Sequence, residues 1–560
     1  MLIAVAWAPV TATSGRFNDA TQTAGIRLKN TFGGTEKRFI LEAHGSGAGF
    51  FDSDNDGDLD LYVVNGSTFE THPSLSGPGN VLYQNNGNGT FTDATQTTGV
   101  GHSGWGAGCA VGDVDNDGDR DLYVTNYGSN VFYNNLGNGT FTENAKDLGI
   151  EGNHYSASAA FFDYDIDGDL DLYVTNYVEF DVDNMPDFET QQKRCAFFGG
   201  VTVYCGPMGM PGAPDRLYRN DGDGFTDVTE TSGVSKANQY YGLGVTSGDF
   251  DGDGNPDLFV ANDETPNVLF RNDGDGTFTD VAVISGVAYN EDGDEEAGMG
   301  VAAADYDNDG DTDLYVTHFF QESNTLYNND GSGNFNDVTA SSGLGAPTLN
   351  LLGWGVAFFD WDHDRDLDLF VANGHVYPQV DEVESGSTYS QRNQLFVNDR
   401  GHFVENKMAG QGMKEKKISR GAAFGDYDND GDTDVFVVNL NDTPTLLRND
   451  RAENSGTWLM IKAFGRQDNR DGAGTRIRVR SDGYTQWRTI NGSSSYLAHN
   501  DLRAHFGLGK SLIAEEVQLT WPNGTVDTVT DIPTNKILVV QQGGAYRVLA
   551  IGENPHAVGF

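Results

Sequence analysis

The sequence predicts an all-β fold, a seven-bladed β-propeller followed by a small C-terminal β-domain. Three observations lead there. A nine-residue aspartate run occurs seven times, each run enters an apolar strand, and a turn motif recurs in phase with it.

The first run reads Asp52-Ser53-Asp54-Asn55-Asp56-Gly57-Asp58-Leu59-Asp60, with carboxylates at positions 1, 3, 5, 7 and 9. The second places them at Asp113, Asp115, Asp117, Asp119 and Asp121, and the third at Asp163, Asp165, Asp167, Asp169 and Asp171. The fourth has Asp249, Asp251, Asp253, Asn255 and Asp257, and the fifth Asp305, Asp307, Asp309, Asp311 and Asp313. The sixth has Asp360, Asp362, Asp364, Asp366 and Asp368, and the seventh Asp426, Asp428, Asp430, Asp432 and Asp434.

Carboxylates packed this closely repel one another unless a cation sits among them. Calcium suits such a loop, because it takes six to eight oxygen ligands at ~2.3–2.6 Å and alternate positions can curl around one point. Side chains at positions 1, 3, 5 and 9 and the carbonyl of position 7 are the expected ligands, for up to seven Ca2+ ions. The position-7 side chain then lies outside the ligand set. Magnesium demands a tighter octahedron, and the chain has no Cys/His cluster for zinc. An EF-hand would need Glu at position 12 and flanking helices. Val63, Val124 and Val174 stand there instead, inside strands such as Asp60–Asn65 and Asp257–Asn262. A merely solvated acidic run fits one copy but not seven in register.

Glycine at position 6 marks a turn with positive φ. Arg365 replaces it in loop six, at a cost of ~1 kcal/mol or more, so loop six is expected to bind most weakly. In loop four, Asn255-Pro256 at positions 7 and 8 suits a backbone ligand.

The loops start 61, 50, 86, 56, 55 and 66 residues apart. The phased motif Val81–Asp93 returns at Val131–Glu143, Arg216–Asp227, Val268–Asp280, Thr325–Asp337 and Gln394–Glu405. Small-residue strands such as Gly106–Val111, Gly242–Val245 and Gly298–Val301 precede the loops. Each unit thus reads as four strands, and seven such units suit a propeller with the glycine-rich strand innermost. Phe17–Ile26 nearly repeats Phe91–Val100, whereas the seventh unit stops at Leu447–Asp450 without its fourth strand. The N-terminal segment is expected to supply that strand and so close the ring.

These repeats resemble the FG-GAP/VCBS calcium-loop propellers, of which integrin α-subunit heads are one relative. Asp471–Val479, Ile490–Leu497 and His505–Lys510 resemble the ASPIC/UnbV domain. Together they make the chain similar to the cartilage acidic protein family, in a bacterial-type form, over roughly residues 15 to 545, with a departure at Arg365. The resemblance implies calcium binding and secretion but no known reaction. The expected division is a signal remnant or leader at 1–14, the propeller at 15–455 with an insertion at 178–214, the ASPIC/UnbV-like domain at 456–545 and a tail at 546–560.

The net charge is −49, and it is uneven: residues 456–560 hold 11 Lys/Arg against 9 Asp/Glu, so the preceding chain carries −51. Seven calcium ions would reduce the total to −35. Such a surface repels nucleic acid and anionic membranes, and suits basic partners, further divalent ions or a halophilic setting. No stretch approaches the ~20 apolar residues of a membrane span. Cys195 and Cys205, in the insertion, are the expected disulfide of an exported protein, and Cys109 is expected to be a buried small residue. Met1–Thr13 is apolar but short and lacks a basic start, so export to the extracellular space or periplasm is inferred mainly from calcium.

In the C-terminal region, strands are expected at Trp458–Phe464, Thr475–Arg480, Tyr484–Ile490, Glu516–Trp521, Thr525–Thr530 and Ile537–Gln541. Arg476, Arg478 and Arg480 alternate along one strand, either as a solvated edge or as a basic face that docks on the acidic propeller or an acidic glycan. The sequence contains no H-E-x-x-H, G-x-S-x-G or P-loop motif. His318 and His375 lie near strand ends where a propeller face could present them. The insertion, with Asp181, Asp183, Asp187, Tyr204 and Met208, is the largest departure from the repeat and a candidate binding segment. The expected function is therefore non-enzymatic: calcium-dependent binding or adhesion to a protein or polysaccharide partner. The alternative is an enzyme or accessory protein of polysaccharide or enediyne-type secondary metabolism that uses the propeller face.

Overall fold

The computed structural model describes residues 16–72, 76–182, 195–237, 239–451, 456–466 and 469–557. The leader at 1–14 and insertion residues Asp183 and Asp187 lie outside the described residues. The described chain is all-β apart from single-turn helices.

Seven antiparallel four-stranded sheets follow one another. The first comprises Ala48–Phe51, Asp60–Val63, Val81–Asn85 and Phe91–Asp93 in simple meander order. The aspartate run joins its first two strands, and the phased asparagine/glycine motif joins the last two. The other sheets repeat this order, and in the seventh the fourth strand is Phe17–Asp19, which pairs with Leu447–Asn449. The clasp expected from the sequence is present in the strand pairing. Sheets two and three are also joined directly, through Tyr127–Tyr155 and Gly128–His154.

The first strand of each sheet lies beside the first strands of its neighbours, and that of the seventh lies beside that of the first. The sheets therefore form a closed ring whose inner wall is these small-residue strands. A Cβ on Gly300 would stand 2.1 Å from the Trp354 carbonyl oxygen of the next sheet, which is why glycine is needed there. Between sheets, apolar side chains from facing strands make separate cores.

Because the strands alternate in direction, the second-to-third connections lie at the end of the ring opposite the aspartate loops. One of them is the insertion. Its Val203 and Tyr204 are buried with Trp105, Tyr155, Tyr177 and Trp354 in an aromatic core at that end. Cys195 and Cys205 form a disulfide with Cα atoms 5.3 Å apart, and Cys109 is buried and free.

The C-terminal region has two four-stranded sheets. One orders Ala504–Gly509, Thr457–Phe464, Lys536–Gln541 and Ala545–Leu549, and the other Tyr484–Thr489, Arg476–Ser481, Ile513–Thr520 and Val526–Pro533. Their apolar faces share one core around Leu459, Ile477, Val517 and Leu538. Ala504–Gly509 and Ala545–Leu549 were not foreseen, and the latter lies across the expected boundary at 545/546. No helix among the described residues is long and apolar enough to cross a membrane.

Candidate metal centres and the domain seated on them

Each aspartate loop is shaped by its own backbone. In loop one, Asp56 N–H and Gly57 N–H donate to the two Asp52 carboxylate oxygens at 3.1 and 3.0 Å. Asp58 N–H donates to Asp56 Oδ1 at 2.9 Å. At position 9, Asp60 accepts from Ser53 N–H at 3.0 Å and from Asn85 N–H at 2.7 Å. Loops two, three, five, six and seven repeat the position-1 pattern, including Asp364 and Arg365 N–H onto Asp360.

Position 6 has φ of 98° at Gly57, and Arg365 adopts 94° in the same place. Position 4 is also left-handed, at Asn55, Asn116, Ile166, Gly252, Asn308, His363 and Asn429. The frequent asparagine there, the residue that best tolerates this region after glycine, was an overlooked signal.

These turns converge the carboxylates. One oxygen each from positions 1, 3 and 9 lie within 4.8 Å of one another in loops one, three, four and five, as do positions 1, 3 and 5 in loop two. Burial pushes the position-9 carboxyls up, to about 9 in Asp171 and Asp313, to about 8 in Asp257 and well above the usual range in Asp60, Asp121, Asp368 and Asp434. Burial likewise raises position 1 to about 7 in Asp113, Asp163 and Asp305 and to about 8 in Asp360. Converging oxygen-only donors, buried at position 9 and more exposed at position 3, fit a hard cation.

Two residue types tie the loops to one another. A buried asparagine ending the third strand of each sheet reaches the preceding loop: Asn135 Nδ2 donates to Ser53 O at 2.9 Å, and Asn329 Nδ2 to Phe250 O at 2.8 Å. Asn85, Asn220, Asn272, Asn398 and Asn449 do the same. Sequence reasoning did not assign these asparagines a role, although their fixed place in the repeat was visible. The second tie runs forward. Asn55 donates to Asp119, Asn116 to Asp169, Asn308 to Asp366 and Asn429 to Asp58. The position-7 aspartate, expected outside the ligand set, is here an acceptor for the previous loop.

The C-terminal region sits on this loop face. Asn554 donates to Asn55 O at 2.9 Å, Arg470 to Asn116 O at 3.1 Å and Asn469 N–H to Gly168 O at 2.6 Å. Arg476 donates to Gly310 O, and His505 Nε2 lies 3.0 Å from Gly431 O. In the opposite direction, Arg365 donates to Leu508 O at 2.9 Å and stacks on Tyr484. Of the three arginines read either as a solvated edge or as a basic docking face, Arg476 docks, Arg478 pairs with Glu516 at 2.6 Å and Arg480 is exposed. A buried ion pair, Arg120–Asp471 at 2.7 Å, crosses the interface.

The segment Ile490–His499 descends from this region into the ring. Ser495 pairs with Val301, His499 with Gly49, and Ser495 Oγ donates to Ala422 O at 2.7 Å. At its tip the Tyr496 ring centroid lies 4.9 Å from that of Trp354, in the aromatic core at the far end. The motif that carries the family resemblance is thus an axial finger. His318 and His375, near strand ends where a propeller face could present them, are buried: His318 Nδ1 lies 3.0 Å from Ser323 O, and His375 packs among Phe197, Phe319 and Tyr377.

Two family models match the chain. The ASPIC and UnbV model matches residues 465–547, and the FG-GAP-like repeat model matches 52–124, 113–174, 203–260 and 249–316. The chain is 30% identical to human cartilage acidic protein 1 over 315 residues, covering 53% of this chain and 43% of that protein. It is 28% identical to the Xenopus tropicalis protein over 335 residues, covering 56% and 47%. The chain therefore spans less than half the length of these relatives. Among solved structures, an Agrocybe aegerita lectin that recognises non-reducing terminal N-acetylglucosamine aligns with a TM-score of 0.36 and 15% identity, over 76% of this chain and 89% of that one. The six-bladed propeller lectin of Aleuria aurantia aligns with a TM-score of 0.34 and 10% identity, over 66% and 96%. The chain therefore carries FG-GAP-like repeats followed by an ASPIC and UnbV domain, and its curated homologues are cartilage acidic proteins at about 30% identity.

Proposed function

We propose that the chain is a secreted, calcium-stabilised binding module for a protein or polysaccharide partner. Each four-stranded sheet is one blade of a seven-bladed propeller spanning residues 15–455, and residues 456–545 form a domain seated on its loop face. The carrying observation is the convergence of positions 1, 3 and 9 into oxygen clusters in which carboxyls such as Asp171 and Asp313, raised by burial and by neighbouring carboxylates, need a counter-charge to stay ionised. Calcium, when bound, supplies that charge. The side chains of positions 1, 3, 5 and 9 hold it, and the backbone N–H groups of positions 5 and 6 keep the position-1 carboxylate aimed inward.

Calcium has a structural role in this reading, because the loops lie between the propeller and the C-terminal domain and are tied to both. Secretion is supported by the Cys195–Cys205 disulfide and by the ~0.1–1 mM affinities typical of extracellular calcium modules.

Calorimetric calcium titration with melting curves in calcium and in EDTA tests the reading. It expects roughly five or more bound ions and a large fall in Tm on chelation. One ion or none, with no thermal shift, would sink it. A lyase assay on uronate polymers separates binding from catalysis, since release of unsaturated chain ends would replace the binding reading with the enzymatic one.

A further inference from the structure

A histidine and two glutamates meet at the end of the ring opposite the aspartate loops. In the fifth sheet, residues 317–324 connect the second strand, Asp313–Val316, to the third, Thr325–Asn329, and carry His318 and Glu322. Glu296 lies on the segment leading into the same sheet, and its Oε2 stands 3.6 Å from His318 Nε2. The imidazole is fully enclosed, whereas the Glu296 side chain is 10% exposed.

The hydrogen bonds around the ring fix which nitrogen is bare. His318 Nδ1 lies 3.0 Å from Ser323 O, which can only accept, so Nδ1 carries the hydrogen of the neutral ring. Nε2 is then a lone pair, and it has no hydrogen-bond partner. It faces a carboxylate oxygen, which is also an acceptor. A protonated ring would close on that oxygen to ~2.7–2.9 Å, and the observed 3.6 Å is well beyond this. The gap does suit two ligands of one metal ion. Donors ~2.0–2.2 Å from a tetrahedral zinc lie ~3.3–3.6 Å from each other.

The neighbours orient these donors. A backbone carbonyl on the far nitrogen is a common outer partner of a metal-bound histidine. Thr325 Oγ1 lies 3.2 Å from Glu296 Oε2, and Asn290 Nδ2 donates to Glu296 Oε1 at 3.3 Å. Glu322 Oε2 accepts from Ala297 N–H at 2.9 Å and Phe319 N–H at 3.3 Å, which leaves its Oε1 uncommitted. Burial raises the Glu322 carboxyl; His318 opposes the rise and Glu296 adds to it. Among the described residues no lysine or arginine pairs with either glutamate. We propose that His318, Glu296 and Glu322 form a site for a transition-metal dication of the zinc type, separate from the aspartate loops. His318 Nε2 and Glu296 Oε2 supply two ligands and Glu322 Oε1 a third, with a fourth position left for water. An imidazole among carboxylates suits zinc and its neighbours, whereas calcium takes oxygen ligands.

The test is a calorimetric titration of the full chain with Zn2+ in saturating calcium, so that zinc does not compete for the aspartate loops. One tight zinc site is expected, and further calcium should not displace the ion. His318→Ala should abolish this site. Glu296→Gln, which keeps the side chain's size, should weaken it by at least the ~10–100-fold typical of losing an outer partner. Both variants should take up calcium as the parent does. If His318→Ala does not fold, Glu296→Gln decides. No zinc bound by the parent overturns the assignment, and His318–Glu296 is then an ion pair alone. Equal zinc affinity in the parent and Glu296→Gln overturns it too, because the ion then sits elsewhere. Zinc bound at this site by a chain that takes up no calcium would sink the calcium reading and leave the site standing.

Discussion

Asn329 shows how much of the cohesion between sheets depends on single amides. Its Nδ2 donates both to Phe250 O in the preceding loop and to Thr312 O in its own, at 2.8 and 3.0 Å. Asn329→Ala leaves two buried carbonyls without their donor, and we expect a loss of roughly 2–4 kcal/mol in urea denaturation. Asn329→Asp should be worse, because a carboxylate cannot donate and adds buried charge. If the two variants were equal, packing rather than the amide would be the reason asparagine is used. The interface pair Arg120–Asp471 is a second case. Asp471→Asn removes the carboxylate paired directly with a buried guanidinium and should cost about 3–5 kcal/mol, read from the same denaturation curves. Such partners lie 351 residues apart, so no local pattern reveals them. Arg420 was equally hidden. It is buried, stacks on Trp354 at 4.2 Å, and donates to the carbonyls of Ala43, Gly374, Ser419 and His375.

At the scale of elements, the aspartate loops, the strands they enter and the N-terminal clasp were legible because each repeats a pattern dictated by backbone sterics. Glycine at position 6 and asparagine at position 4 both mark left-handed turns, and alternation marks the strands. What was not legible is where Ile490–His499 goes. Its small polar residues carry no strand alternation, and Tyr496 packs against Trp354 inside the ring. Ala504–Gly509 escaped as a strand for a related reason, since two of its six residues are glycine. The finger yields a prediction. Tyr496→Ala should remove packing against Trp354 and cost about 3–5 kcal/mol. Calorimetry should then resolve the melting of the C-terminal domain from that of the ring. A single cooperative transition with unchanged Tm would mean that the finger contributes nothing to their coupling.

For the whole molecule, the balance of charge sets how stability responds to pH, and the direction depends on calcium. Without the ion, the folded carboxyls of Asp113, Asp163 and Asp305 titrate at about 7, Asp257 at about 8, and Asp171 and Asp313 at about 9. An unfolded aspartate titrates near ~3.9. Through these groups the folded state holds more protons than the unfolded chain between about pH 4 and about pH 9, and their contribution to stability falls as pH rises; buried His44, His375, His499 and His505, lowered to about 3, act in the opposite sense below about pH 6.5. In EDTA, Tm should climb when the pH is lowered from about 8 to about 6.5. With saturating calcium the slope should reverse, because the ion holds the same carboxylates ionised and protons compete with it for them. The net charge of −49 works in the same sense as the buried carboxyls in EDTA, since protonation relieves repulsion across the ring. Added sodium chloride separates the two: it screens the surface term but leaves the buried carboxyls raised. Melting curves across this range, in calcium and in EDTA at low and high salt, check the account. Parallel slopes in the two conditions would show that the loops do not hold calcium through these carboxylates.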